Sequence, residues 1–443
     1  MSVARLAIFA LALAALQCTS NDAAKPDASA AAGGTGASGG AGGTGGNAAS
    51  GGSSGTGAAA GSGGSASDWG ALPTWAPIPG TVAGCSLERL ANPGKVRLFK
   101  WNACSFAANC EEAEFGPAMK WLGFNPTSMV QDDGTTVRVA LSFSAAVFVT
   151  GPDGVVVDGF QTHTPDCSLS SASVRSARFA VHVASQGATV FGGVLAEIGT
   201  ESVETVTLTT PPPGVPGPWY PLGPERWVWG WAPNNRLSST DLSGGDFQLF
   251  APVPLSGPAL AFLSPVSAGS IFLFQEYDTK DGGTFQGKIA WSDGIKAPES
   301  YLVPPSSNDD YGFPAYAHTR VGFLKGIGRK DVNSFDSVEL WSTPFSEDPA
   351  QLAPQLVTKL PAINTSMNDT IGGFGRISMP ILVAPKQIAI GSWDLKTGDS
   401  TTFQLPDDHK FKFLAGLTRT HLWIGAAKPN LGIVSYLVRL PVK

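Results

Sequence analysis

An all-β fold assembled from repeating units is what this sequence predicts, and three observations predict it. From about residue 90 onward, short runs rich in Val, Ile, Phe and Trp alternate with Gly, Pro, Asp and Asn, the pattern of strands and reversals. A phrase of strand, polar turn and strand recurs in the C-terminal half, and its tryptophans, Trp291, Trp341 and Trp393, fall 50 and 52 residues apart. Strand-like runs also close on proline, at Pro165, Pro211, Pro252, Pro304, Pro361, Pro406 and Pro441. Proline suits the end of an outer strand, where its missing amide breaks no ladder and blocks further pairing.

The elements follow in order. Residues 137–141 and 146–149 read as strands leading to the turn Pro152-Asp153-Gly154 and a third strand over 155–157. Pro152 presets φ at the corner and Gly154 accepts a positive φ, so the reversal has a mechanism. An amphipathic helix is expected over 111–122 alone. The recurring phrase runs Lys288-Ile289-Ala290-Trp291 to Tyr301-Leu302-Val303, then Val338-Glu339-Leu340-Trp341 to 356–360, then 388–393 to 402–405. Between the copies, 259–263 pairs with 271–275, and 315–318 pairs with 321–324. Each unit of about 45–50 residues thus supplies four antiparallel strands, the signature of a propeller blade. The last unit, 413–417, 421–424 and 433–440, is one strand short, and residues 95–101 are expected to complete it. Seven blades fit the proline spacing best, with six or eight as alternatives and a pair of β-sandwiches as the competing architecture.

Residues 69–443 form this domain, and the segment Ile390-Gly391-Ser392-Trp393-Asp394-Leu395-Lys396-Thr397-Gly398 resembles the WD-repeat and TolB-like propellers. The other units lack the Trp-Asp pair.

The front of the chain gives an address. Arg5 precedes an apolar run over 6–16, too short to span a bilayer, and Cys18 follows at once. Residues 1–18 resemble the signal of bacterial lipoproteins, which implies a lipid on Cys18, although Ala15 and Gln17 depart from the usual residues before the cysteine. Residues 19–68 are nearly all Gly, Ala, Ser, Thr and Asn, with too little apolar surface to offset ordering entropy, and read as a disordered tether. Such tracts are similar to those of myxobacterial surface proteins. The resemblance implies an exported protein of the cell envelope, anchored to the outer membrane and facing the periplasm or the surface.

Composition narrows the chemistry. Charged residues make up 14% of the chain and the net charge is −6, so no basic surface for nucleic acid is expected. Cys85, Cys104, Cys110 and Cys167 predict two disulfides stapling residues 69–170, with three connectivities open. A metal site from Cys104, Cys110, His163 and Cys167 is the rejected alternative, for want of a Cys-x-x-Cys pair. No cofactor motif and no catalytic constellation appears: the five histidines sit singly, and His182, His318 and His421 lie beside strands. Asp278 to Gly283 and Asn308-Asp309-Asp310 read as turns rather than calcium loops. Arg320, Lys386 and Arg419 recur near turns, where one charged rim would attract an acidic ligand.

The most unusual run is Arg226-Trp227-Val228-Trp229-Gly230-Trp231. On a strand Trp227, Trp229 and Trp231 share one face. Exposed, they make an aromatic platform for sugar rings or a protein partner; buried, they fill the wedge between blades. The sequence therefore predicts a binding propeller with a protein or polysaccharide ligand. A secreted polymer-active enzyme, with paired carboxylates in the central funnel, is the competing reading.

Overall fold

The computed structural model describes residue 68 onward, apart from 106, 117–126, 144, 176, 186–190, 209–214, 217–222, 224, 233–235, 243–247, 251–261, 280–284, 297, 332–333, 361–369, 385–386, 407–409, 428–434 and 443. Cys18 and the tether therefore lie outside the described residues.

Strand-forming runs pair with their chain neighbours, so hairpins build antiparallel sheets in sequence order. Among the described residues there are seven. Sheet 1 contains Thr127–Asp132, Val137–Ser142, Ala146–Thr150 and Val156–Thr162, extended outward by Leu87–Leu90 and Trp75–Pro77. Sheet 2 is Cys167–Arg175, Arg178–Ser185, Phe191–Glu197 and Val203–Leu208; sheet 3 is Val215–Pro216, Arg226–Ala232, Arg236–Asp241 and Gln248–Phe250. Sheet 4 is Phe262–Ala268, Ile271–Thr279, Phe285–Ser292 and Glu299–Leu302; sheet 5 is Asp310–Tyr316, Arg320–Asp331, Ser334–Pro344 and Gln355–Lys359. Sheet 6 is Ile371–Gly373, Arg376–Ala384, Gln387–Asp394 and Ser400–Gln404. Sheet 7 joins Lys410–Leu417, His421–Ala427 and Ser435–Pro441 to two strands from the other end of the domain, Glu111–Phe115 and Phe99–Ala103.

The core lies between sheets, and the period of two explains how one strand serves two layers. In sheet 7, Leu422 and Ile424 face sheet 6 in one cluster, while Trp423 faces sheet 1 in another. All three are at most 1% exposed. Val139 and Leu141 enter the layer toward sheet 7, and Ala140 between them enters the layer toward sheet 2. This is why the runs read as continuously apolar. The first strands pack in succession around the axis: Phe262–Ala268 on Asp310–Tyr316, that strand on Ile371–Gly373, then Lys410–Leu417, Thr127–Asp132 and Cys167–Arg175. The fold is a β-propeller, as the sequence predicts.

Two expectations are corrected. The strand that closes sheet 7 is Glu111–Phe115, through Val438↔Glu112 and Arg439↔Glu111, and Phe99–Ala103 lies outside it. Residues 95–101 therefore do not pair with the last strand. The same segment overturns the helix expected from residue 111. Its glutamates favour a helix in isolation, but the Cys104–Cys110 link folds the segment back as a hairpin, with Cys104 N–H on the Cys110 carbonyl. The Arg439 side chain then lies on Trp101 and pairs with Glu111 at 2.5 Å.

The cysteines pair Cys85–Cys167, 82 positions apart, and Cys104–Cys110, six positions apart. The first joins the loop before Leu87–Leu90 of sheet 1 to the opening strand of sheet 2. Arg89 crosses the same boundary, pairing with Asp158 and donating to the Glu197 carbonyl at 3.0 Å.

Candidate functional site

Side chains from separate sheets converge at the end of the central channel where each first strand turns into its second. In sheets 4 and 6 that turn is two residues long and opens on Gly269 and Phe374; in sheet 5 it is three residues, 317–319, with His318 at its centre. All three have positive φ, 59° at Gly269, 47° at Phe374 and 64° at His318. Tight hairpins need that geometry because their twist then matches the strands, and glycine adopts it without strain. His318 and Phe374 adopt it at a cost, and their rings gain a shared position over the channel end.

The rings stack. His318 lies 6.0 Å from Tyr316 at an interplanar angle of 15° and 4.1 Å from Phe374 at 26°. The Arg419 guanidinium, from the equivalent turn of sheet 7, lies 5.0 Å from the centre of Phe374. Phe374 thus contacts both an imidazole and a cation. The Phe374 main-chain N–H donates to His318 Nδ1 at 3.2 Å, so the ring carries its proton on Nε2. Burial holds the His318 pKa below the usual imidazole value; Asp132 pulls it up and Arg419 pushes it further down. The ring is neutral at pH 7.

Sheets 1 and 2 complete the mouth. The Asp132 carboxylate accepts from the main-chain N–H of Gly134 at 2.8 Å and of Arg419 at 3.0 Å, linking sheets 1 and 7. Beside it, hydrogen bonds from Thr135 and Thr136 outweigh a burial that would raise Asp133, and bring its carboxyl down to about 2. Arg175, at the end of the first strand of sheet 2, donates to Ser267 Oγ at 2.5 Å and the Gly269 carbonyl at 2.9 Å, reaching past sheet 3 to sheet 4. Burial lowers its pKa, and the neighbouring Tyr316 opposes that shift. Glu347 accepts from Ser270 N–H and Oγ at 2.9 and 2.6 Å, and those bonds keep its carboxyl below the usual range. These hydrogen bonds tie sheet 1 to sheet 7, sheet 2 to sheet 4 and sheet 4 to sheet 5.

The sequence-predicted residues fall as follows. Arg320 and Arg419 both lie at this end, and Lys386 lies outside the described residues. Arg320 is turned into its sheet, where Nη2 donates to Ser342 Oγ at 2.7 Å, so of the two described members of the expected rim Arg419 alone is exposed. Trp227 is 2% exposed and belongs to the buried reading of the tryptophan run, not to a platform. The side chains of Trp229 and Trp231 lie outside the described residues. Asp309 pairs with Lys325 at 3.4 Å and Asp310 accepts from Gly287 N–H at 3.0 Å, which makes that acidic loop structural. Among the described residues no cluster of three or more His, Cys, Asp or Glu is placed to ligate a metal.

Sequence reasoning passed over Tyr316, Phe374, Asp132 and Arg175. One signal was available: aligning the repeats on the start of the second strand sets Ala317-His318-Thr319-Arg320, Gly373-Phe374-Gly375-Arg376 and Thr418-Arg419-Thr420-His421 in register. The turn position is then visible.

No protein-family model and no curated protein matches the sequence. Solved structures give low-identity likenesses. The β-propeller domain of the Trilobed protease from Pyrococcus furiosus is 9% identical, with a TM-score of 0.46, over 68% of this chain and 92% of that one. An oligogalacturonate lyase in complex with manganese is 11% identical, with a TM-score of 0.45, over 84% and 97%. A structure from an analysis of two prolyl endopeptidases is 12% identical, with a TM-score of 0.45, over 68% of this chain; this chain spans only 44% of that protein's length. The propeller assignment rests on the sheets themselves.

Proposed function

We propose that the chain is an exported propeller, tied to a membrane through a lipid on Cys18 and held off it by the tether. In this reading it binds a protein or polysaccharide at the turn end of its channel and does not transform it. The observation that carries the reading is the engagement of His318, Asp132, Arg175 and Glu347 in bonds between sheets. A general acid or base must be able to exchange its proton with a substrate, and these groups are held by main-chain and hydroxyl groups of neighbouring sheets. What the mouth offers outward is a fixed surface, as a binding site requires. Two disulfides support the exported address, because such bonds persist in oxidising compartments.

The test is to probe glycan and peptide arrays with the mature chain, assay bound polymers for turnover, and weigh the mature N-terminus by mass spectrometry. Binding without turnover, on a chain that begins at an acylated Cys18, is the expected result. Cleavage of a bound polymer would replace this reading with the enzyme reading. An unmodified Cys18 would remove the lipid and leave the binding site untouched.

A further inference from the structure

We propose that the Arg419 end of the Tyr316–His318–Phe374 stack is a carboxylate-binding site that captures acidic peptide segments at the channel mouth. The inference rests on the reading of this mouth as the binding face and names the chemistry of its ligand.

Three observations carry it. The first concerns Arg419 itself. Its side chain is exposed, and among the described residues its guanidinium has no carboxylate partner and donates no hydrogen bond. Its own main-chain N–H is fixed on Asp132, so the residue is anchored, with Nη2 lying beside Gly134. The second is preorganisation. The guanidinium lies on Phe374, which lies on His318, which lies on Tyr316, so the cation caps a stack spanning three sheets. A guanidinium held against a ring loses little freedom when it grips a carboxylate through two parallel N–H donors. The third is strain. His318 and Phe374 keep a left-handed backbone that glycine occupies in sheet 4. Strain retained at a turn marks a constraint other than folding, and here it positions the rings beneath Arg419.

The same geometry selects a peptide over a sugar. A pyranose needs an open aromatic face, and the Phe374 ring is already packed against the His318 ring at 4.1 Å and the Arg419 guanidinium at 5.0 Å. A carboxylate needs only the outward edge of the guanidinium.

Fluorescence anisotropy of a labelled hexaglutamate peptide, titrated with the mature chain in low and in physiological salt, tests the proposal. Binding is expected to weaken with salt. It is expected to weaken at least about tenfold in Arg419→Ala. Thr319→Glu, which adds a negative charge at the exposed neighbouring turn without touching Arg419, is expected to weaken it as well. Lys412→Ala, distant from the mouth on the same strand system, is expected to leave it unchanged. Unaltered melting temperatures tie any loss to the site rather than to the fold. Absence of peptide binding at about 1 mM, or binding indifferent to both Arg419→Ala and Thr319→Glu, overturns the proposal. Hyaluronate binding that depends on Arg419, without peptide binding, also overturns it but leaves the mouth as the binding face.

Discussion

The Ser342 hydroxyl joins Arg320 to the next sheet. It accepts from Arg320 Nε and Nη2 at 3.2 and 2.7 Å and donates to the Leu395 carbonyl of sheet 6 at 2.8 Å. The arrangement repeats in sheet 3, where Arg226 Nε donates to Ser239 Oγ at 3.1 Å and that hydroxyl donates to the Gly294 carbonyl of sheet 4. In both sheets the arginine opens the second strand and the serine sits on the third, opposite the residue two places on. Both serines are fully buried. The unit satisfies a guanidinium and a carbonyl that packing would otherwise strand between apolar layers.

Ser342→Ala is therefore expected to lower stability by about 1–3 kcal/mol, since it leaves the buried Leu395 carbonyl and the half-buried Arg320 guanidinium without their shared partner. Urea denaturation measures it. Ser239→Ala should fall in the same range, and a change within error at both sites would remove the unit from the account.

The two disulfides are expected to differ in weight. In the chain-entropy model, losing the Cys85–Cys167 link costs about 4–5 kcal/mol, and losing the short Cys104–Cys110 link costs about 2–3 kcal/mol. Paired Cys→Ala variants, compared by denaturant midpoint, check the order. A larger loss at Cys104–Cys110 would mean that folding back the closing hairpin matters more than tying sheet 1 to sheet 2.

Ring closure puts Gly416 of sheet 7 against the Val130 carbonyl of sheet 1, closer than a Cβ can approach. Gly416→Ala is expected to cost about 1–3 kcal/mol by overpacking. The loss should be accompanied by faster amide exchange in Ser435–Pro441, whose pairing with Glu111–Phe115 completes the ring. Exchange that is unchanged there would separate Gly416 from closure.

Acid is expected to destabilise the fold. Burial lowers the pKa of His182, His318 and His421, with His182 held well below the ordinary value. Each is about 6.5 when unfolded, so the unfolded chain binds the extra protons. Stability is then full above about pH 6.5 and is lost as pH falls toward the folded values. Urea midpoints at about pH 7.5 and 5 give the slope, which His182→Leu should flatten. A midpoint that rises on acidification would contradict the assignment.

Much of the fold was legible because propeller strands are buried on both faces. Runs such as Leu422-Trp423-Ile424 are apolar throughout, and the Trp291, Trp341 and Trp393 spacing marks the third strands of sheets 4, 5 and 6. Closure was harder to read. Glu111-Glu112-Ala113-Glu114 carries helix-favouring residues, and its tie to Cys104, its ladder with Phe99–Ala103 and its pairing with the last strand make it a strand. The mouth was partly legible. His318 and Arg419 were visible as polar residues at turns, but Tyr316 and Phe374 carry no polar mark that singles them out. What makes them a site is the left-handed turn geometry and the meeting of three sheets, which no local pattern encodes.

The central claim is that the turn end of the channel is the binding face. Thr319 is exposed at that end, and Asn308 is exposed in the connection between sheets 4 and 5 at the opposite end. Ligand binding by Thr319→Trp and Asn308→Trp, compared on the same arrays, tests the claim most directly. Loss of binding in Thr319→Trp with retention in Asn308→Trp is the predicted result. The reverse pattern, or equal binding by both variants, would contradict it.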